Sequence, residues 1–298
     1  SLGLAIIDEQ HRFGVVQRQI LKDKGEKVDL LLMSATPIPR TLAHTIYGEL
    51  DISTLDEFPS GKRDVVSELY DLNNKEILFE KIEDLLKKGN KVYVVCPLIN
   101  SENKEKKSVS NVYVEYVEKF KSFGVSYLHG KMSNDAKNET LERFKNGENN
   151  LLISTTVIEV GIDIKDANVI VIYNANNFGL AQLHQLRGRV GRGKKEGYCL
   201  LVSDLEEDNE RLEYFKSTLD GFKISQYDME KRGIGDIIGV KQSGVSDLRV
   251  ANIIADYNIL EVARKDAKII LNNLDNKEFR GYLDYIESKY KENVETIA

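Results

Sequence analysis

At 298 residues the chain is long enough for two domains with ordinary cores, and 41% apolar with 30% charged residues sets it apart from disordered, fibrous and membrane-spanning classes. No apolar run reaches the roughly 18–20 residues of a membrane span, and Ser1-Leu2-Gly3-Leu4 has neither the basic region nor the cleavage site of a signal peptide, so a cytoplasmic location with no membrane partner is expected. The net charge of −6 argues against a surface that binds DNA throughout; nucleic acid would be held by a local strip or by regions outside this chain.

Short runs rich in Val, Ile and Leu predict strands at Leu4–Ile7, Leu30–Met33, Val92–Cys96, Ser126–Leu128, Leu151–Ile153, Val169–Tyr173 and Tyr198–Val202. Such continuous runs are the mark of parallel strands covered on both faces. Between them fall helical stretches at about Lys75–Lys88, Asn111–Phe123, Asp135–Lys145 and Ala181–Arg187. Gly89, Gly124 and Gly147 follow helical runs at the position that favours a left-handed backbone, and Ser133 and Asn134 supply cap-type side chains. The alternation implies an α/β fold, a doubly wound parallel sheet. Phe58-Pro59-Ser60-Gly61 reads as a linker, and Glu102–Lys107 as a solvated loop. Beyond Val202 the pattern turns helical, with stretches at Leu205–Leu219, Gln226–Lys231, Leu248–Asn272 and Lys277–Lys291. Tyr282, Tyr285 and Tyr290 suggest a face packed on a neighbour. Cys96 and Cys199 lie inside strand-like runs and read as small core residues in a reducing compartment.

Chemistry concentrates at strand tips. Asp8-Glu9-Gln10-His11 ends the first apolar run, delivering two adjacent carboxylates. In such a pair Asp8 would hold Mg²⁺ through water, and Glu9 would orient the water that attacks a γ-phosphate. A phosphate-cradling loop, G-x-x-x-x-G-K-[ST], would complete that site, and these 298 residues contain none. Gly188, Gly193 and Lys194 mimic one, but Lys195 has no hydroxyl for Mg²⁺ and the segment follows a helix. Ser34-Ala35-Thr36 ends the next strand, where Ser34 and Thr36 could hydrogen-bond the carboxylates and couple them to other motions.

Gln185-Leu186-Arg187-Gly188-Arg189-Val190-Gly191-Arg192 is the strongest signal. Glycines beside arginines let the backbone approach closely and present guanidinium groups. Such a group, reaching a γ-phosphate from a second domain, contributes roughly 10³–10⁵ in rate. Thr155 and Thr156, after the strand Leu151–Ile153, suit hydrogen bonds to a phosphate backbone. Asp163, further along that segment, can reach a ribose hydroxyl or an arginine. Tyr127-Leu128-His129-Gly130 offers a second backbone contact.

Taken in order, these pieces resemble superfamily 2 helicases: D-E-x-H at 8–11, S-A-T at 34–36, T-T-x-x-x-x-G-x-D at 155–163 and Q-x-x-G-R-x-G-R at 185–192. The resemblance implies two RecA-like lobes that clamp ATP, with Asp8 and Glu9 on the first and Arg189 and Arg192 reaching over from the second. Gln185, Gly161 and Asp163 would lie near the nucleotide, and His11, Ser34 and Thr36 would couple it to movement. DEQHRFGVVQ at 8–17 and MSATPIPRTLA at 33–43 narrow the resemblance to the RecG family, bacterial ATP-dependent DNA helicases. Arg232-Gly233-Ile234-Gly235 and Gln242-Ser243-Gly244 are similar to that family's translocation motif, with Arg232 and Gln242 at its polar positions. The Mfd transcription-repair coupling translocases share the second segment, but typically have Glu-Gln where this chain has Gln10-His11.

The resemblance implies a C-terminal fragment that lacks the family's wedge domain and phosphate loop. Its expected parts are a first-lobe remnant at 1–58, a second RecA-like lobe at 62–204, a translocation hairpin and loop at 205–245, and a helical segment at 246–298. The parent would hydrolyse ATP with Mg²⁺ and remodel branched double-stranded DNA, both stalled forks and Holliday junctions, while the fragment alone would be inactive. An Mfd-like translocase and a non-catalytic binding module are the alternatives. Two strands without their sheet would expose apolar edges, so the remnant is expected to be disordered or held by self-association.

Overall fold

The computed structural model describes residues 2–9, 20, 24–25, 28–34, 51–55, 65–97, 109–130, 132–155, 167–191, 195–206, 209–232, 257–273 and 275–295. The expected linker at Phe58–Gly61 and loop at Glu102–Lys107 lie outside them. The chain divides into two compact units, one of Ser1–Pro39 with Thr54–Gly233, the other of Arg40–Ser53 with Ile234–Ala298.

In the first unit, β1 (Leu4–Ile7) and β2 (Asp29–Leu32) pair in parallel, in register from Leu4 with Asp29 to Ile7 with Leu32. The Met33 amide extends the ladder by donating to the Ile7 carbonyl at 2.8 Å. Pairing satisfies one edge of each strand, and Ala5 and Ile7 are buried, while Leu4, Ile6, Leu31 and Met33 stay exposed.

A six-stranded, all-parallel sheet carries the rest of this unit. Its strands are β3 (Val65–Asp71), β4 (Lys91–Cys96), β5 (Val125–Leu128), β6 (Leu151–Thr155), β7 (Ala167–Tyr173) and β8 (Gly197–Ser203), in the order β3-β8-β7-β4-β6-β5. The intervening helices are α1 (Glu76–Lys87), α2 (Val109–Phe120), α3 (Asn134–Lys145) and α4 (Leu180–Arg187). Side chains alternate between two cores, as the two-residue period of a strand requires. Val92, Val94, Cys96, Val169, Val171, Leu200 and Val202 join Leu78, Ile82, Tyr116 and Phe120 on one face. Tyr93, Val95, Ile170, Ile172, Cys199 and Leu201 join Phe144, Leu183, Leu212 and Phe215 on the other. That double covering is why these strands read as unbroken apolar runs. The doubly wound α/β fold expected from the alternation is the fold observed.

The sequence reading lacks β3. Ser67 and Glu68 interrupt its apolar run, and all seven residues are only half-buried because the strand lies at the sheet's edge, paired with β8 alone. The helix boundaries hold closely. Ser133 Oγ accepts from the Ala136 amide and caps α3. Gly89, Gly124 and Gly147 have φ of +73°, +71° and +78°. Cys96 and Cys199 are buried thiols, as expected, and burial pushes both up to about 12.

After β8, one helical stretch was expected at Leu205–Leu219, but its observed helix is the shorter α5 (Glu210–Ser217). The next, α6 (Gly221–Arg232), is longer than expected. It begins where Asp220 Oδ1 accepts from the amides of Phe222 and Lys223 at 2.9 and 3.3 Å, satisfying N–H groups that a helix start leaves without intrahelical partners. The two helices form a hairpin. Tyr214 stacks on Tyr227 with centroids 3.9 Å apart, and Lys231 pairs with Glu210 at 3.0 Å.

The second unit contains α7 (Tyr257–Asn272) and α8 (Lys277–Glu295). Tyr282 and Tyr285 were expected to pack on a neighbour, yet they are 57% and 55% exposed, as are the apolar Ile259, Val262, Ile269 and Leu271 to similar degrees. The Tyr290 side chain lies outside the described residues.

Candidate nucleotide and nucleic-acid site

The carboxylate pair stands where strand geometry predicts. Asp8 follows the last residue of β1 and is exposed; Glu9 is half-buried. Glu9 has φ of +51°, a left-handed conformation uncommon for a residue with a Cβ. Its amide donates to Asp8 Oδ1 at 2.8 Å, so the aspartate stabilises the left-handed backbone at Glu9. Ser34 is exposed two residues beyond the end of β2. Because Ile7 and Leu32 are in register, Asp8, Glu9 and Ser34 leave the two strands at the same end. His11 and Thr36 lie outside the described residues.

A single exposed carboxylate suits Mg²⁺, which keeps several waters and takes one or two carboxylates plus substrate phosphates. Among the described residues no group of three or more His, Cys, Asp or Glu could form an all-protein metal cage.

The arginine-bearing segment is set by α4 and the turn after it. Leu180, Leu183 and Leu186 are buried in the sheet-facing core, which fixes the roll of the helix. Gln185 is half-buried on its flank. The Gly188 amide donates to the His184 carbonyl, and the Arg189 amide to the Leu186 carbonyl, both at 2.9 Å. This tightens the chain into a turn that leaves Arg189 half-buried. Val190 is buried, and Gly191 has φ of +69°. A Cβ at Gly197 would lie 2.8 Å from the Gly191 backbone, so the turn is seated directly on the start of β8. The close approach requires glycine at 197, and the positive φ at 191 favours it there. Arg192 lies outside the described residues.

Thr155 closes β6 at the C-terminal edge of the sheet, where ligands of open parallel sheets bind. Arg232 closes α6. Thr156, Gly161, Asp163 and Gln242 lie outside the described residues. His129 is half-buried and stacks with Tyr127, at 5.7 Å between centroids and 17° between planes.

One residue acquires a role that sequence reasoning missed. Arg187 was read only as part of the basic run, yet it is 2% exposed. Its Nη1 donates to the Phe215 carbonyl at 2.9 Å and to Ser67 Oγ at 3.4 Å, its Nη2 lies 3.2 Å from His184 Nδ1, and the guanidinium sits 3.9 Å from the Phe215 ring centroid. Burial lowers its pKa to about 10, leaving it charged at neutral pH. A signal did exist. Leu180, Leu183 and Arg187 are spaced i, i+3, i+7, which puts the arginine on the core-facing stripe.

Residues 77–194 match the helicase conserved C-terminal domain, and residues 218–293 match the C-terminal part of domain 3 of the ATP-dependent DNA helicase RecG. The first match spans α1 to the arginine-bearing turn, so the six-stranded unit is the C-terminal RecA-like lobe of a helicase. RecG from Aquifex aeolicus is 52% identical over 289 residues, covering 93% of this chain and 36% of that protein. The Thermotoga maritima RecG is 48% identical over 275 residues, covering 91% and 35%. A solved structure of RecG bound to a three-way DNA junction superimposes with a TM-score of 0.65 at 43% identity, covering 88% of this chain and 34% of that one. The helicase MrfA bound to DNA and AMPPNP, 18% identical with a TM-score of 0.52 over 81% of this chain and 40% of its own, shares the fold. The chain belongs to the RecG family of ATP-dependent DNA helicases, and spans about a third to two-fifths of the length of the curated relatives it matches.

Proposed function

We propose that this chain is the C-terminal part of an ATP-dependent double-stranded DNA translocase that remodels stalled forks and Holliday junctions. The observation that carries this reading is the 52% identity to a RecG over 289 residues. The match of residues 218–293 to a RecG-specific domain favours this over an Mfd-like translocase.

In this reading each side chain has a stated task. Asp8 would hold the hydration shell of a bound Mg²⁺, and Glu9 would accept a hydrogen bond from the attacking water and orient it. Mg²⁺, when bound, would offset negative charge on the phosphates of the ATP substrate. Arg189 and Arg192 stabilise negative charge as the terminal phosphoryl group is transferred, with Gln185, Gly161 and Asp163 beside the nucleotide. Ser34, Thr36 and His11 link the carboxylates to movement between lobes. Thr155, Thr156, Arg232 and Gln242 contact DNA or pass movement to it. Residues 1–58, 62–204, 205–245 and 246–298 act as first-lobe remnant, second lobe, translocation hairpin and loop, and helical segment. The cell compartment is the cytoplasm; among the described residues no helix is long and apolar enough to cross a membrane.

The test is a chimaera in which this chain replaces the matched region of the Aquifex aeolicus relative. It should hydrolyse ATP faster in the presence of forked DNA and unwind that fork. Hydrolysis that ignores DNA, in a chimaera that folds and binds ATP, would sink the reading.

A further inference from the structure

Three aromatic side chains meet at one edge of the six-stranded sheet, outside the tasks assigned above. β5 ends the strand order and pairs with β6 alone, so among the described residues its outer edge has no neighbouring strand. Leu128 is buried in the core on one face, and Tyr127 lies on the other. There Tyr113 of α2 approaches to 4.6 Å between ring centroids, with 52° between planes. His129, two residues on, shares that face and stacks with Tyr127. Tyr113 and His129 are half-buried. Tyr127, between them, is held by both neighbours and still 40% exposed.

The row of rings ends at the C-terminal edge of the sheet, where ligands of open parallel sheets bind. β5 and β6 run in register from Val125 with Leu151 to Leu128 with Ser154. The next residues are His129 and Thr155, so the last ring stands beside the candidate phosphate-backbone contact. Lys137 Nζ donates to the Gly130 carbonyl at 3.1 Å, which holds an ammonium one residue beyond His129. Backbone contacts, a cation and a fixed ring next to them are the parts of a single-strand site, because every base has a π-face. We propose that Tyr127, braced by Tyr113 and His129, is a stacking platform for an unpaired base of the DNA strand that Thr155 contacts. This rests on the reading of the chain as a DNA translocase and deepens it, since the substrate must then expose unpaired bases at this edge, as a branch point does. Bracing fixes the ring before DNA arrives, so little side-chain freedom is lost on binding. Stacking reads no base identity, and the platform is therefore indifferent to sequence.

The experiment uses the 298-residue chain and a fluorescent oligothymidylate, with binding followed by anisotropy at low salt. Tyr127→Ala should weaken binding about tenfold, and Tyr127→Leu should do the same, while Tyr127→Phe stays within about twofold of the unsubstituted chain. Binding of a blunt duplex of the same length should change less than about twofold in all three. Leucine keeps apolar bulk without a flat ring, so full affinity in Tyr127→Leu would assign an apolar contact and overturn the proposal. A Phe variant as weak as the Ala variant would assign the effect to the hydroxyl, and overturns it too. Equal losses on single strand and duplex overturn it as well, as does an unsubstituted chain that leaves the oligothymidylate unbound. DNA-stimulated hydrolysis by the chimaera tests the translocase reading separately, so failure of that reading is told apart from failure of the platform.

Discussion

Glu9 combines a half-buried carboxylate with a left-handed backbone. Such a conformation costs of order 1–3 kcal/mol unless the surroundings over-determine it, and it concentrates at functional sites. Here the Asp8 carboxylate holds the turn through the Glu9 amide, so both acids act on one short segment. In the full-length chimaera, Glu9→Gln keeps the shape and removes the charge that polarises water. ATP binding, read by equilibrium titration, should be unchanged, while kcat falls by about 10² or more. Normal turnover by that variant would reassign the water-positioning role. Arg187 shows the opposite case at this scale. It is a charge inside the lobe, matched to a carbonyl, a hydroxyl and a ring, and its neighbour Arg189 is the one left nearer solvent.

Among the elements, α4 sets the position of the arginine-bearing turn because its leucines lock it to the sheet. Leu183 is fully buried, so Leu183→Ala leaves a cavity and should cost about 2–5 kcal/mol in denaturant unfolding of the chain. Val262 on α7 is 56% exposed, and Val262→Ala should stay within about 0.5 kcal/mol. Equal costs at the two positions would contradict the burial pattern. The strands were legible because two-sided burial leaves a continuous apolar run, as in Val92–Cys96 and Val169–Tyr173. β3 was not, because an edge strand tolerates Ser67 and Glu68, and Glu68 in fact pairs with Lys81 at 2.9 Å. Helix ends after β8 were misplaced because Leu205 and Leu219 suit the apolar pattern of a helix, while capping by Asp220 starts a new one.

For the whole molecule, what matters is the phosphate grip. The chain carries a carboxylate pair and an arginine-bearing turn, but no G-x-x-x-x-G-K-[ST] loop to hold the β- and γ-phosphates. The chain alone should therefore hydrolyse no ATP above background in a phosphate-release assay with Mg²⁺ and forked DNA. Turnover at even about one per cent of the chimaera's rate would show that the loop is dispensable, against the usual division of labour in these sites.

The sequence by itself determined the class of fold and the family, because apolar period and motif order are local properties of the chain. Asp8 and Glu9 at a strand tip, Ser34 beside them and Arg189 in a glycine-rich turn could all be read from their neighbours. Only the tertiary structure decided that Arg187 of the basic run is buried. Burial depends on Ser67 and Phe215, which lie 120 and 28 residues away from Arg187 and meet it only when β3 and α5 pack around α4.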